Sequence, residues 1–311
     1  IITSWWDFGH WFKAIADRAV TFDGGSQNRP QAHWVGKLLL TNNEEESVAI
    51  LRMLDCGGND AYDLLLEETN DPLETKKIID EVIMEDKDTA RNTLLSYTEN
   101  PDKILEKTHC NPPDSYLITS EDMVGKGGVW AHFGSWSFNN SFAYNTVKSN
   151  SKNGAIEVLK EKLGYSEEEA TKIYDELKGL NERQANQWIA PYPSYSGVGN
   201  CQTQNNTVYC SNGAIIDLTN KEAMIRTNQG EAKIKNFRID NEIFTDEGDE
   251  GISILYISDK SISVLMDPKL LDSLFTELFY LEGKYVENFE LFDYQRGIDG
   301  FEIYVWKTKW Q

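Results

Sequence analysis

With 311 residues, 40% of them hydrophobic, the chain can bury a sizeable core without help from disulfides. A formal net charge of -21 argues against nucleic acid as a partner, because a phosphate backbone needs a basic stripe and this surface would repel it. The longest apolar runs fall short of the roughly 18 residues that a membrane helix requires, so no segment reads as a span.

The sequence opens on Ile1-Ile2-Thr3-Ser4-Trp5, without an initiator Met, a basic n-region or an apolar h-region, and reads as a segment excised from something longer. From Trp5 to Ala19 the apolar positions Trp6, Ile15 and Ala19 mix with Gly9 and charges, which predicts a loop leading into a short helix. Residues 21–30 are loop by their Gly, Asn and Pro content. Gln31 to Leu40 resumes a helical pattern that ends near Asn42-Asn43. Glu44 to Leu54 follows as a second amphipathic helix with Val48, Leu51 and Leu54 on one face.

Residues 60–109 predict three helical stretches punctuated by Asp71-Pro72 and Asn100-Pro101. Rich in acids and poor in aromatics, residues 60–109 read as a peripheral helical hairpin or insertion, with the acidic helical insertion itself at 67–110. Ser115 to Thr119, behind Pro112-Pro113, is a short apolar run that predicts a buried strand feeding a helix N-terminus at Ser120-Glu121-Asp122. Residues 155–188 are helical, and Ser166 with Glu169 is a capping-box signature. After Pro191-Tyr192-Pro193 the period changes. From Thr207 to about Met266 short runs alternate between polar and apolar residues, which predicts an all-β unit, a barrel or a sandwich. Leu270 to Leu281 is helical again and Phe301 to Trp306 is a closing strand. The expected class is α+β. An α-rich core with a short mixed sheet occupies residues 1–200, a β-rich insertion residues 201–266, and a helix and strand returning to the core residues 267–311.

The cysteines, Cys56, Cys110, Cys201 and Cys210, lack the paired C-x-x-C spacing of a zinc site. Cys201 and Cys210 bracket a short polar loop and would close a bridged hairpin in an oxidising compartment; free thiols are the alternative. His10, His33, His109 and His132 are scattered, so no metal site is expected from histidine either. Asp246 to Gly251 resembles part of a calcium loop without its downstream bidentate Glu, which predicts a solvated hairpin turn. Asn139-Asn140-Ser141 and Asn205-Asn206-Thr207 are N-glycosylation acceptor triplets, as an extracytoplasmic protein could carry.

Trp5-Trp6-Asp7-Phe8-Gly9 is the most informative stretch. Each indole offers a donor and no acceptor, whereas an ionised Asp7 accepts only. A hydroxyl does both, so a ligand hydroxyl among these three side chains would be fully satisfied. Gly9 permits a sharp turn or close approach. An aromatic core cluster with Phe8, Trp11 and Phe12 is the alternative reading of the same residues.

The stretch resembles the WWDYG signature of the STT3/AglB/PglB oligosaccharyltransferase family, most nearly the archaeal AglB proteins, with Phe8 in place of the signature's Tyr. Ser120 to Trp130 stands where that family carries a DK or MI motif on a kinked helix. Asp122 and Lys126 match its Asp and Lys with one more residue between them, and Trp130 stands where Met or Ile is usual. The resemblance implies transfer of a lipid-linked oligosaccharide to the Asn of Asn-x-Ser/Thr, at the extracytoplasmic face of the plasma membrane. The Mn²⁺ or Mg²⁺ of that chemistry and its ligands belong to a transmembrane half absent here, so no catalytic residue, metal or cofactor is expected in this segment. Its implied task is recognition. Trp5, Trp6, Asp7 and Lys126 would hold the hydroxyl of the Ser/Thr two residues after the acceptor Asn, while Phe8, Gly9, His10, Asp122, Met123 and Trp130 would line or support the pocket. The implied partners are an acceptor polypeptide and, through the absent half, the lipid-linked oligosaccharide; the segment itself would be monomeric.

Two other readings compete. Nine tryptophans and fourteen tyrosines suit a carbohydrate- or cell-wall-binding module, whose sign would be a row of exposed aromatics on the β unit. A hydrolase built on Asp7 and Asp122 would need its carboxylates to flank a cleft.

Overall fold

The computed structural model describes residues 1–311 except Asn28, Gln229 and Gln311. A two-residue strand, β1 (Ile2–Thr3), leads through a 3-10 turn at Trp6–Phe8 into the short helix α1 (Gly9–Ala14). Helices α2 (Gln31–Leu40) and α3 (Glu44–Gly57) follow as their periodicity predicts, and the side chain of Asn43 starts α3 by accepting from the backbone N–H groups of Glu45 and Glu46. Gly36 lets α2 cross the chain near Trp130 at close range, since a Cβ there would stand 2.4 Å from the Trp130 carbonyl oxygen.

The acidic stretch holds four helices rather than three, α4 (Asp60–Thr69), α5 (Pro72–Val82), α6 (Lys87–Leu94) and α7 (Pro101–Thr108). Asp86 supplies the additional start, its carboxylate accepting from the Asp88 and Thr89 N–H groups. Nor is the stretch peripheral. Aliphatic residues from its helices, among them Ile78, Val82, Leu94 and Leu105, are buried in the same core as α2. A Cys56–Cys110 disulfide, with Cα atoms 5.8 Å apart, closes this group of helices; the sequence reading anticipates no such pair.

Next come β2 (Tyr116–Ser120), α8 (Glu121–Gly125) and α9 (Gly127–Gly134). The helices α10 (Phe138–Ser149), α11 (Lys152–Leu163), α12 (Glu167–Lys178) and α13 (Glu182–Ile189) gather around a small core of their own that includes Val147, Leu159 and Leu177. The Ser166/Glu169 capping box opens α12.

The β unit begins at Tyr195, earlier than residue 201, and comprises β3 (Tyr195–Gln204), β4 (Thr207–Cys210), β5 (Ala214–Asp217), β6 (Glu222–Thr227), β7 (Gly230–Ile239), β8 (Glu242–Thr245), β9 (Asp249–Ile257) and β10 (Ile262–Met266). Pairing of β6 with β7 closes the order β6-β5-β4-β3-β10-β9-β7 into a seven-stranded barrel, with β8 attached outside the ring. Val208, Ile216, Phe237 and Ile254 fill it. Cys201 and Cys210 are partners across β3 and β4 and form a disulfide. Asp246 to Gly251 is not a hairpin turn, because β8 and β9 are not neighbours; Asp246 instead pairs with Lys233 at 2.7 Å.

The helix expected over Leu270 to Leu281 divides in two. Asp267 caps a 3-10 turn at Pro268–Leu270, and Ser273 caps α14 (Leu274–Phe279) separately. Two strands end the chain, β11 (Phe289–Arg296) and β12 (Glu302–Thr308), and complete a mixed sheet of order β1-β2-β12-β11. Every residue of β11 after Phe289 is exposed, so it carries no alternating signal for sequence reading to detect. No described helix is long and apolar enough to cross a membrane.

Candidate functional site

The mixed sheet brings the two motifs together. β1 pairs with β2 in parallel, Ile2 against Tyr116 and Thr3 against Leu117, so the chain leaving β1 and the chain leaving β2 emerge side by side. Ser4 locks this junction by donating from Oγ to the Ile118 carbonyl at 3.2 Å, with Met123 Sδ 3.7 Å away.

The two indoles then part company. Trp5 is 2% exposed and packs edge-on against Phe22, with ring centroids 5.2 Å apart, and against Phe133 at 5.9 Å. Trp6 is only half-buried. Asp7 reaches across to the second motif, where its Oδ1 lies 2.8 Å from Lys126 Nζ. The same ammonium donates to Asp122 Oδ2 at 2.6 Å. The second oxygen of Asp7 is buried and has no hydrogen-bond partner. Phe8 is exposed, with its ring centroid 5.9 Å from the Lys126 ammonium.

Lys126 is aimed by a break in the helix. It ends α8 and starts α9 with φ -98° and ψ 7°, off the helical path, and so stands at the corner between the two. Trp130 braces that corner from inside, its Nε1 donating to the Met123 carbonyl at 2.8 Å while its ring meets Phe275 at 5.1 Å. Met123 and Trp130 are both buried, so they support the site from behind rather than face solvent in it. Gly9 is required on steric grounds, because a Cβ there would lie 2.5 Å from the Phe22 carbonyl oxygen. His10 is exposed and its Nδ1 is 3.8 Å from Asp23 Oδ2. Sequence reasoning missed Asp23, which also pairs with Lys13 and accepts from the Gly25 N–H at 2.9 Å, tying the loop after α1 against Trp6 and His10. The Asp-Gly-Gly turn was its only local signal.

Electrostatically the site is one cation held by two anions. Partial burial pulls the Lys126 pKa down, but its hydrogen bonds to Asp122 and Asp7 outweigh this and hold it above the ordinary lysine value. The amine is therefore charged across the physiological range, and the carboxylates that could attract a metal face that charge instead. No group of three or more His, Cys, Asp or Glu side chains among the described residues is placed to hold a metal ion. Two carboxylates gripping one ammonium do not flank a cleft as a hydrolase pair would. Of the large apolar residues that the described barrel exposes, Val198, Tyr209 and Ile243, one is aromatic, so there is no row of rings.

Residues 1–140 match the model of the STT3/PglB/AglB core domain. It is similar to two archaeal proteins, each named a dolichyl-phosphooligosaccharide-protein glycotransferase. The one from Methanocaldococcus jannaschii is 40% identical over 165 residues, covering 50% of this chain and 18% of the relative. The one from Methanococcus voltae is 29% identical over 323 residues, covering 94% of this chain and 33% of the relative. The chain thus spans a third or less of the length of these relatives. Among solved structures, the C-terminal domain of C. jejuni PglB aligns over 99% of this chain and 94% of its own, with 16% identity and a TM-score of 0.45.

Proposed function

We propose that this chain is the acceptor-recognition domain of an oligosaccharyltransferase that transfers a lipid-linked oligosaccharide to Asn in Asn-x-Ser/Thr. The observation that carries the reading is the state of Asp7. One of its oxygens is engaged by Lys126 and the other has unfilled acceptor capacity, beside the half-buried Trp6. A Ser or Thr hydroxyl two residues after the acceptor Asn donates to the carboxylate and accepts from the ammonium or from the Trp6 indole N–H. Trp5 serves from below, as the buried ring on which the motif rests.

Selectivity follows from the same bookkeeping. A peptide lacking the hydroxyl leaves desolvated polar groups unmatched, at a cost of about 1–3 kcal/mol. That corresponds to roughly 10- to 100-fold in affinity. The groups that break and make the glycosidic bond, with their Mn²⁺ or Mg²⁺, lie in the part of the enzyme outside this chain. Two disulfides favour an oxidising, extracytoplasmic setting, where acceptor polypeptide and lipid-linked donor meet. The domain acts as a monomer in this reading. The test is photo-cross-linking of an Asn-x-Thr peptide against its Asn-x-Ala counterpart. Label should concentrate near Trp6 and Asp7 and favour the Thr peptide by at least tenfold; equal labelling sinks the proposal.

A further inference from the structure

The acceptor triplet Asn205-Asn206-Thr207 forms the tip of the β3–β4 hairpin. Asn205 and Asn206 take positive φ values of 48° and 63°, the left-handed conformation that a tight hairpin turn demands and that Asn tolerates. Both are exposed. Among the described residues, neither the Asn205 amide nor the Thr207 hydroxyl has a hydrogen-bond partner. A bulky group on the Asn205 nitrogen would therefore project into solvent and displace nothing.

The Cys201–Cys210 disulfide holds the base of the hairpin and Val208 anchors β4 in the barrel core, so a change of path concerns the two tip residues outside the strands, Asn205 and Asn206. In an extended chain the side chains of residues i and i+2 share a face, which brings the Asn amide and the Thr hydroxyl to one side. The other triplet, Asn139-Asn140-Ser141, lacks this freedom. It lies inside α10, where residues i and i+2 do not face each other, and Asn140 Nδ2 is bonded to the Trp188 carbonyl at 2.9 Å.

We infer that Asn205 is a site of N-glycosylation of this protein, with a lipid phosphate-linked oligosaccharide as donor. The Asn205 side-chain nitrogen attacks the anomeric carbon of the first sugar. The new N–C bond forms as the C–O bond to the lipid phosphate breaks. The lipid phosphate leaves with the bonding electrons, and the amide proton passes to a general base of the transferase. The inference rests on the proposed function only in placing the barrel on the side of the membrane where the transfer occurs.

The experiment is peptide mass mapping, after reduction, of the full-length protein recovered from cells that make a lipid-linked oligosaccharide and glycosylate a reference acceptor. The peptide containing Asn205 should carry the mass of the oligosaccharide. Both Asn205→Gln and Thr207→Val should abolish that shift, the second with the acceptor Asn intact, and the peptide containing Asn139 should be unmodified. Circular dichroism of the two variants should match the parent, since Asn205 is exposed at the turn and Thr207→Val keeps a β-branched side chain at the start of β4. A bare Asn205 peptide beside a modified reference acceptor overturns the inference, as does a shift that persists in Thr207→Val. Cross-linking at Trp6 and Asp7 separates this result from the recognition reading. Thr-dependent labelling with a bare Asn205 leaves recognition standing, whereas a modified Asn205 with indiscriminate labelling removes recognition alone.

Discussion

Asp7 and Lys126 act as a pair, and the two can be told apart by substitution. Asp7→Ala removes the proposed acceptor for the incoming hydroxyl and leaves Lys126 with Asp122 alone, so Asn-x-Thr labelling should fall by about 10- to 100-fold. Phe8→Tyr restores the ring type of the signature at an exposed position and should change labelling by less than about twofold, since it alters no contact worth more than a few tenths of a kcal/mol. A loss from Phe8→Tyr as large as that from Asp7→Ala would shift the recognition role away from the carboxylate. Asp55 illustrates a different residue-scale effect, far from recognition. Burial pushes its carboxyl up from 3.8 to about 6. The folded state thus favours the protonated acid, a contribution fully present below pH 3.8 and lost as pH rises through 6. At pH 7 the buried anion costs up to about 3 kcal/mol. Asp55→Asn should therefore raise the urea midpoint at pH 7 and give almost no gain at pH 4; an equal gain at both would show that its charge is not the cause.

At the scale of elements, the α8–α9 corner and the two disulfides do most to set geometry. Trp130→Phe retains a large ring against Phe275 but deletes the hydrogen bond to the Met123 carbonyl, leaving a buried acceptor empty. The expected loss is about 1–3 kcal/mol of stability. Peptide labelling should weaken in the folded variant as well, because that bond holds the turn that aims Lys126. The disulfides differ in the length of chain they close. Cys56–Cys110 spans a sequence separation of 54 and Cys201–Cys210 one of 9. Loop-closure entropy then predicts that Cys56→Ser costs about 4 kcal/mol and Cys201→Ser about 2.5. Urea denaturation of the two variants checks the order; a larger loss from Cys201→Ser would contradict it.

Across the whole molecule, the barrel meets the helical core through Leu255, Ile257, Val264 and Met266, which pack in that core, and through a buried ion pair. Arg238 of β7 is 2% exposed and binds Glu277 of α14, while its Nε donates to the Asp240 carbonyl at 2.7 Å. Burial raises the Glu277 pKa even with that partner present, so the carboxylate depends on the arginine for its charge. Arg238→Ala strands it and should cost about 3–5 kcal/mol, whereas Arg238→Met combined with Glu277→Leu should recover most of that loss. Denaturation followed by tryptophan fluorescence gives the comparison. A double variant as unstable as the single one would mean that the stranded carboxylate is not the source of the loss.

Local patterns determined a good share of this protein. The limits of α2 and the start of α3 follow from apolar spacing and an Asn cap, the Ser166 box from its Ser and Glu, and the barrel from alternating runs. Trp5-Trp6-Asp7 stands out by composition, and Asp122 with Lys126 by resemblance to the DK motif. Each of these signals lives within a few residues, where helix and strand periods operate. Only the tertiary structure decided the rest. The parallel pairing of Ile2 with Tyr116, which delivers Asp7 to Lys126, joins segments more than a hundred positions apart and leaves no local trace. The Cys56–Cys110 bond, the solvent-facing strand β11 and the integration of the acidic helices are likewise properties of the assembled core. So is the division of labour between two adjacent indoles, one in the core and one at the surface, because identical side chains acquire different surroundings only when the chain around them has packed.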